Sequence, residues 1–320
     1  MAADDKENVE LSVIIPIYNE EETISELYNR LLESVSEITA NYELIFINDG
    51  SKDNSLAELL KLIIHDKKVF YINFSRNFGH QIAVTAGLDI CTGNAVVIID
   101  GDLQDPPELI PELYSKYKEG YEVVYAKRAE RKKESLFKKA SAKLFYRILQ
   151  RITSINIPVD TGDFRLIDKK IVDYLKKMPE QNKFLRGQIA WLGYKQTAVI
   201  FNRDDRKHGK TGYSFNQMLH FAMDGITSFS DKPLAFVTKL GFTISFISFL
   251  IIVYATYSHF VLHQTITGWT SLIISSMFIG GVQLISIGII GEYISRINKN
   301  TINRPLYVVK DSNLKNIKHK

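Results

Sequence analysis

Fifty-two consecutive residues, Leu240–Gly291, contain no Lys, Arg, Asp or Glu, although 24% of the whole chain is charged. Within that window Leu240–Leu262 supplies 23 residues and Thr270–Gly291 supplies 22. Each is long enough to cross about 30 Å of hydrocarbon as a helix. Buried core helices of a soluble domain would be shorter and would keep a polar stripe. The sequence therefore predicts two membrane spans joined by the loop His263–Trp269. That loop has no Lys or Arg, whereas Lys232 and Lys239 precede the pair and Arg296, Lys299 and Arg304 follow it. Basic flanks stay cytoplasmic, so the expectation is a hairpin with both termini inside. Tyr254, Tyr257, His259, Trp269 and Tyr293 near the span ends suit interfacial anchoring.

The remainder reads as a folded α/β unit. The first ten residues, MAADDKENVE, are polar and acidic with no apolar core, so no secretory signal is expected. From Leu11 onward, short apolar runs at 11–17, 43–48, 69–74, 95–100 and 122–126 alternate with amphipathic stretches at 21–36, 55–65 and 79–91. Strands alternating with helices of this length imply βαβ units and a mostly parallel sheet covered on both faces. The expected division is a polar extension over 1–10, a catalytic unit over 11–213, an interfacial helix over 214–233, the hairpin over 234–295 and a basic cytoplasmic tail over 296–320. The single cysteine, Cys91, can form no internal disulfide, which fits a reducing compartment.

In an open parallel sheet, ligands bind beyond the carboxyl ends of the strands, so the residues after each apolar run are the candidate site. They are Tyr18-Asn19-Glu20, Asp49-Gly50-Ser51, Ser75-Arg76-Asn77-Phe78-Gly79 and Asp100-Gly101-Asp102. Turns favour such residues anywhere, but four polar exits in succession, three with a carboxylate, point to a site. Asp100 and Asp102 can face one region, and their mutual repulsion would be relieved by a divalent cation. Mg²⁺ accepts one or two carboxylates together with substrate phosphates and waters, and Mn²⁺ takes the same hard oxygen ligands. Neither G-x-x-x-x-G-K-[ST] nor G-x-G-x-x-G after a strand is present, which excludes a P-loop and a dinucleotide fold.

The combination SVIIPIYNEEETI, FINDGSKDNS, SRNFGHQIAVTAGLD and IIDGDLQDPPELI resembles family 2 inverting glycosyltransferases of the GT-A fold. With DTGDFRL at 160–166, DGITSFS at 224–230 and the two-span tail, it is similar to the bacterial polyprenyl-phosphate glycosyltransferase branch, relatives of dolichyl-phosphate mannose synthase. The likeness runs from Leu11 to about Arg296. It implies that Pro16, Tyr18, Glu20, Asp49 and Asp100 surround a nucleotide-sugar donor, and that Asp100, Asp102 and Gln104 hold Mg²⁺ or Mn²⁺ on its diphosphate. It also implies that Asp163 occupies the place of the catalytic carboxylate, and that Arg165 beside it, Arg206 and Lys210 contact phosphate or the acceptor. The segment Arg203–Tyr213 matches the R-x-x-G-x-[ST]-K-Y loop at Arg206, Gly209, Thr211 and Tyr213 but has Gly212 where a lysine is common, leaving Lys210 to substitute.

The same resemblance implies a UDP-sugar donor, a polyprenyl phosphate acceptor and an enzyme of the bacterial inner membrane. Proteins of this hairpin type often assemble into homo-oligomers. Arg128, first after a strand, is the member of the basic segment Lys127–Arg151 expected to contact phosphate; the rest are expected on a solvated face near an anionic leaflet. A processive polysaccharide synthase of the same fold is the nearest alternative, but its Q-x-x-R-W motif is missing. A non-catalytic scaffold on a degenerate fold would not need Asp100, Asp102, Gln104 and Asp163. Nucleic acid is disfavoured because no aromatic platform interleaves the basic residues. His80 reads as a structural histidine, and no His/Cys cluster has zinc spacing.

Overall fold

The computed structural model describes residues 9–129, 161–201, 230, 232–261 and 268–314. Among the described residues seven short strands and six short helices precede two long helices: β1 (Leu11–Ile17), α1 (Ile24–Ser36), β2 (Tyr42–Asn48), α2 (Ser55–His65), β3 (Val69–Phe74), α3 (His80–Ile90), β4 (Ala95–Ile98), α4 (Ile110–Lys118), β5 (Val123–Arg128), β6 (Thr161–Asp168), α5 (Lys169–Leu175), α6 (Leu185–Trp191) and β7 (Gln196–Phe201). The long helices, α7 (Lys232–Phe260) and α8 (Trp269–Ile302), follow, and β8 (Val309–Ser312) closes the order.

The strands form one sheet in the order β7-β5-β6-β4-β1-β2-β3-β8. β1 pairs in parallel with both β2 and β4, so the chain turns from one side of β1 to the other after β3. That reversal opens a crevice at the carboxyl ends of β1 and β4. The centre of the sheet is buried on both faces, which explains why β1 and β2 are largely apolar and buried along their whole length. Leu11, Val13, Ile15 and Ile17 belong to the core beneath α1, α2 and α4, whereas Ile14 and Ile98 pack with α3, α5 and α6 on the opposite face.

Two strands depart from the sequence reading. β6 is antiparallel to both β4 and β5. It is not among the apolar runs because Gly162, Asp163 and Arg165 interrupt it, yet Phe164, Leu166 and Ile167 are wholly buried. β8 lies within the stretch expected to be a basic cytoplasmic tail. It pairs antiparallel with β3, and Tyr307 just before it is buried.

α7 and α8 contain apolar stretches, Lys232–Ile251 and Ser275–Ile302, that meet the length and composition needed to cross a membrane. Both helices extend past the charge-free window and take in Lys232, Lys239, Arg296 and Lys299, residues whose long stems tolerate apolar surroundings while their heads reach water. The basic segment from 130 to Arg151, the Arg203–Tyr213 loop with Arg206 and Lys210, and the expected interfacial helix over 214–229 lie outside the described residues.

Candidate active site

The register between β4 and β6 builds the site. Ile98 faces Arg165 and Val97 faces Leu166, and the same antiparallel count carried two residues further sets Asp100 opposite Asp163. A strand running the other way would have sent Asp163 to the far end of the sheet. The acid that follows β4 and the acid that begins β6 thus share one rim.

Five side chains converge there: Asp100, Asp163, His80, Gln81 and Arg186. Asp163 is held from three directions: Arg186 Nε donates to Oδ1 at 2.7 Å, and Oδ2 lies 3.0 Å from His80 Nε2 and 3.1 Å from Gln81 Nε2. Gln81 also accepts from the backbone N–H of Leu185 at 3.2 Å, which ties the first turn of α3 to the start of α6 and so aims Arg186. His80 Nε2 is in addition 3.4 Å from Asp100 Oδ1, an oxygen that is buried and makes no hydrogen bond among the described residues. His80 is therefore not an ordinary structural histidine: it bridges the two acids.

The charges in this cluster shape one another. Burial works against a charged carboxylate, but Arg186 and His80 hold Asp163 well below the usual aspartate range. Burial would lower His80, yet the carboxylates of Asp100 and Asp163 outweigh it and raise the imidazole to about 9. Asp100, unlike Asp163, is raised. Burial raises it, His80 opposes, and Asp163 and Asp102 add repulsion.

An under-compensated carboxylate with a buried, unbonded oxygen and a second acid two residues on is a donor set suited to a hard divalent cation that takes its remaining ligands from phosphate and water. Among the described residues no group of three or more His, Cys, Asp or Glu forms a complete cage. The backbone N–H of Gln104 donates to Asp102 Oδ1 at 3.2 Å, so Gln104 helps to orient the acid. Leu103 between them has φ of 57°, a left-handed conformation uncommon for a bulky residue.

The other expected residues divide between the two halves of the rim. Pro16 is buried in β1, as is Ile17 after it, and Tyr18 beyond the strand is 42% exposed. The Glu20 N–H donates to Ser55 Oγ at 2.9 Å. Thr23 Oγ1 donates to the Gly101 carbonyl at 2.9 Å, joining this half to the Asp100–Asp102 turn. Asp49 is buried and accepts from the N–H groups of Phe78 and Gly79 at 2.7 and 2.9 Å, so its visible work is to clamp the loop leading into α3. Burial nevertheless raises it, against the pull of those two bonds.

Arg128 ends β5, with Nη2 3.9 Å from buried Asp105. Arg165 corrects the sequence expectation. It is buried and spends its donors on the carbonyls of Gly162 at 3.0 Å and Asp163 at 3.3 Å, bracing the start of β6 rather than facing phosphate; burial lowers its guanidinium to about 10.

Fold and cluster together are those of an α/β protein with a candidate active site at the reversal point of its sheet. Residues 12–175 match Glycosyl transferase family 2, and the chain belongs to that family. It is 50% identical to "Uncharacterized glycosyltransferase YkcC" of Bacillus subtilis (strain 168), over 95% of this chain and 94% of the relative. It is 46% identical to "Uncharacterized glycosyltransferase sll0501" of Synechocystis sp., over 95% of each. The "SfII prophage-derived bactoprenol glucosyl transferase" of Shigella flexneri is 38% identical over 95% of this chain and 98% of its own length.

Proposed function

We propose that this glycosyltransferase moves a hexose, most simply glucose, from a UDP-sugar to a polyprenyl phosphate in the cytoplasmic leaflet, inverting the anomeric carbon. The observation that carries the reading is where the second long helix meets the sheet. Gln181, five residues before Arg186, donates its backbone N–H to Asn300 Oδ1 at 3.0 Å and its side-chain amide to Asn303 Oδ1 at 3.1 Å. The chain leaving α8 then enters β8 opposite Phe74, at the carboxyl end of β3. The end of an apolar helix and the acid cluster therefore share one rim, where an acceptor with a phosphate head and an isoprenoid tail would meet a soluble donor. The name of the Shigella flexneri relative supports glucose and a bactoprenol acceptor.

In this reading the nucleotide half of the donor lies over the exits of β1 and β2, and its diphosphate over Asp100 and Asp102. Mg²⁺ or Mn²⁺ held by these two acids would neutralise the charge that gathers on the departing UDP. An acceptor phosphate oxygen forms the new bond to the anomeric carbon as the bond to UDP breaks on the opposite face, and the bonding pair leaves with UDP. A phosphate monoester is already largely dianionic at neutral pH, its second pKa being about 6, so no base is required. Asp163, kept ionised by Arg186 and His80, would serve as the fixed anion that orders these cations, and Arg186 and Arg128 would meet phosphate charge. Both termini would lie in the cytoplasm of a bacterial cell.

The test incubates membranes carrying the full chain with UDP-[¹⁴C]glucose and polyprenyl phosphate, then extracts lipid. The expected product is one labelled sugar per lipid, lost with EDTA and in Asp102→Ala. Label in a water-soluble polymer, or transfer indifferent to both treatments, would refute the reading.

A further inference from the structure

The chain does not leave the enzyme after α8. Tyr307 stacks on Phe74 with ring centroids 5.1 Å apart, and Phe74 meets Phe78 edge-on at 5.5 Å. The Ser75 N–H donates to the Val308 carbonyl at 2.9 Å, and Asn313 takes the Tyr71 N–H and returns a bond to the Val69 carbonyl, both at 2.9 Å. Beside this strand runs a polar relay through the sheet. Asn73 Nδ2 donates to Asp311 Oδ2 at 2.7 Å, Asn48 Nδ2 to Asn73 Oδ1 at 2.9 Å, the Ser51 N–H to Asn48 Oδ1 at 3.3 Å, and the Asn19 N–H to Ser51 Oγ at 3.0 Å.

Asn48 and Asn73 are 1% and 3% exposed, so neither amide can turn to water for a partner. A carboxylate only accepts and a backbone N–H only donates. With Asp311 at one end and Ser51 N–H at the other, both amide orientations follow. Breaking the relay at Asp311 leaves the Asn73 amide to find another acceptor in a buried site, and half-satisfied buried networks are costly.

We propose that the segment 305–314 is a positioning element of the donor side of the rim. Asp311 is its key residue and sets, through Asn73, Asn48 and Ser51, the loops that carry Asn19 and Asp49. The return from the second long helix thereby becomes part of the active-site scaffold. The proposal rests on the function proposed above for its donor side and for its UDP-binding and kinetic readouts, and not for amide exchange along the relay.

The experiment uses the full chain in detergent. Loss of a hydrogen bond to a charged group corresponds to about a tenfold effect or more. Asp311→Ala is accordingly expected to weaken UDP binding in Mn²⁺ and raise the donor KM about tenfold, with kcat and the acceptor KM unchanged, and to speed amide exchange at Ser51. Asp311→Asn keeps an oxygen for Asn73 and should restore most of both effects; exposed Lys310→Ala should change neither. Unchanged exchange at Ser51 in Asp311→Ala overturns the proposal. So does a loss that lowers kcat and both KM-derived affinities together and that Asp311→Asn does not rescue. If the wild-type chain fails to bind UDP, the donor assignment falls, and amide exchange still decides the relay.

Discussion

Asp163 illustrates how neighbours decide what a carboxylate can do. A general base works best with a pKa near the working pH, and Arg186 with His80 pushes Asp163 far in the other direction. Its value in this arrangement is as a fixed negative charge. Arg186→Ala removes a bond of 2.7 Å to that charge and the nearest guanidinium to it. Removal of one preorganised electrostatic group typically costs about a hundredfold in kcat, which is the loss expected here, with little change in donor KM. Arg186→Lys should recover only part, since an ammonium lacks the planar fork. Steady-state kinetics with UDP-glucose checks both, and a wild-type kcat in Arg186→Ala would remove the assigned role.

Asp100, Asp102 and Asp163 were readable because strand exits and a local motif mark them. His80 and Arg186 were not. They are 83 and 23 residues from Asp163 in the chain and meet it only because β6 runs antiparallel, a direction that no local pattern encodes.

At the scale of elements, the rim depends on close backbone approaches as much as on charge. Gly50 has φ of 65°, and a Cβ there would stand 2.6 Å from the Asn77 nitrogen, against backbone that cannot swing aside. Gly50→Ala is expected to cost at least about 1–3 kcal/mol, visible as a lower thermal midpoint of the solubilised protein, and to separate the loops after β2 and β3. A weaker tie joins α1 to the turn after Asp102: Arg30 grips Glu108 through two bonds of 2.7 and 2.8 Å. Because Glu108 is 55% exposed, Arg30→Ala should cost no more than about 1 kcal/mol.

Its pH dependence has a definite sign. Hydrogen bonding from Arg30 lowers Glu108 below its ordinary 4.5, so the pair stabilises the fold fully above that value and loses its effect as pH falls through the lowered one. The stability gap between wild type and Arg30→Ala should close in acid; a gap that widened there would contradict the assignment. The parallel half of the sheet was legible from its apolar runs. β8 was not, because four residues that include Lys310 and Asp311 look like tail until a partner edge is known.

For the whole molecule, chain connectivity limits the ways in which the long helices can lie. α7 and α8 would extend about 43 and 51 Å at 1.5 Å per residue, more than the hydrocarbon thickness, so their charged ends can reach the headgroups. β8 follows α8 and is stitched to β3, so the chain returns to the domain from which it set out. If both helices cross a bilayer, they must therefore do so as a hairpin, with the end of α7 and the start of α8 on the face opposite the sheet. The charge-free window made two long apolar helices legible; the return to the sheet would supply their relative direction in a bilayer.

Cys91 allows a direct check. It is 6% exposed and burial pushes its thiol up to about 12, so it should be silent toward a maleimide. Gly268→Cys should react with a membrane-impermeant maleimide in intact spheroplasts, and Lys310→Cys only after lysis. The reverse pattern would put the catalytic rim outside the cell, away from nucleotide sugars made in the cytoplasm, while labelling of both before lysis would mean that α7 and α8 do not cross at all.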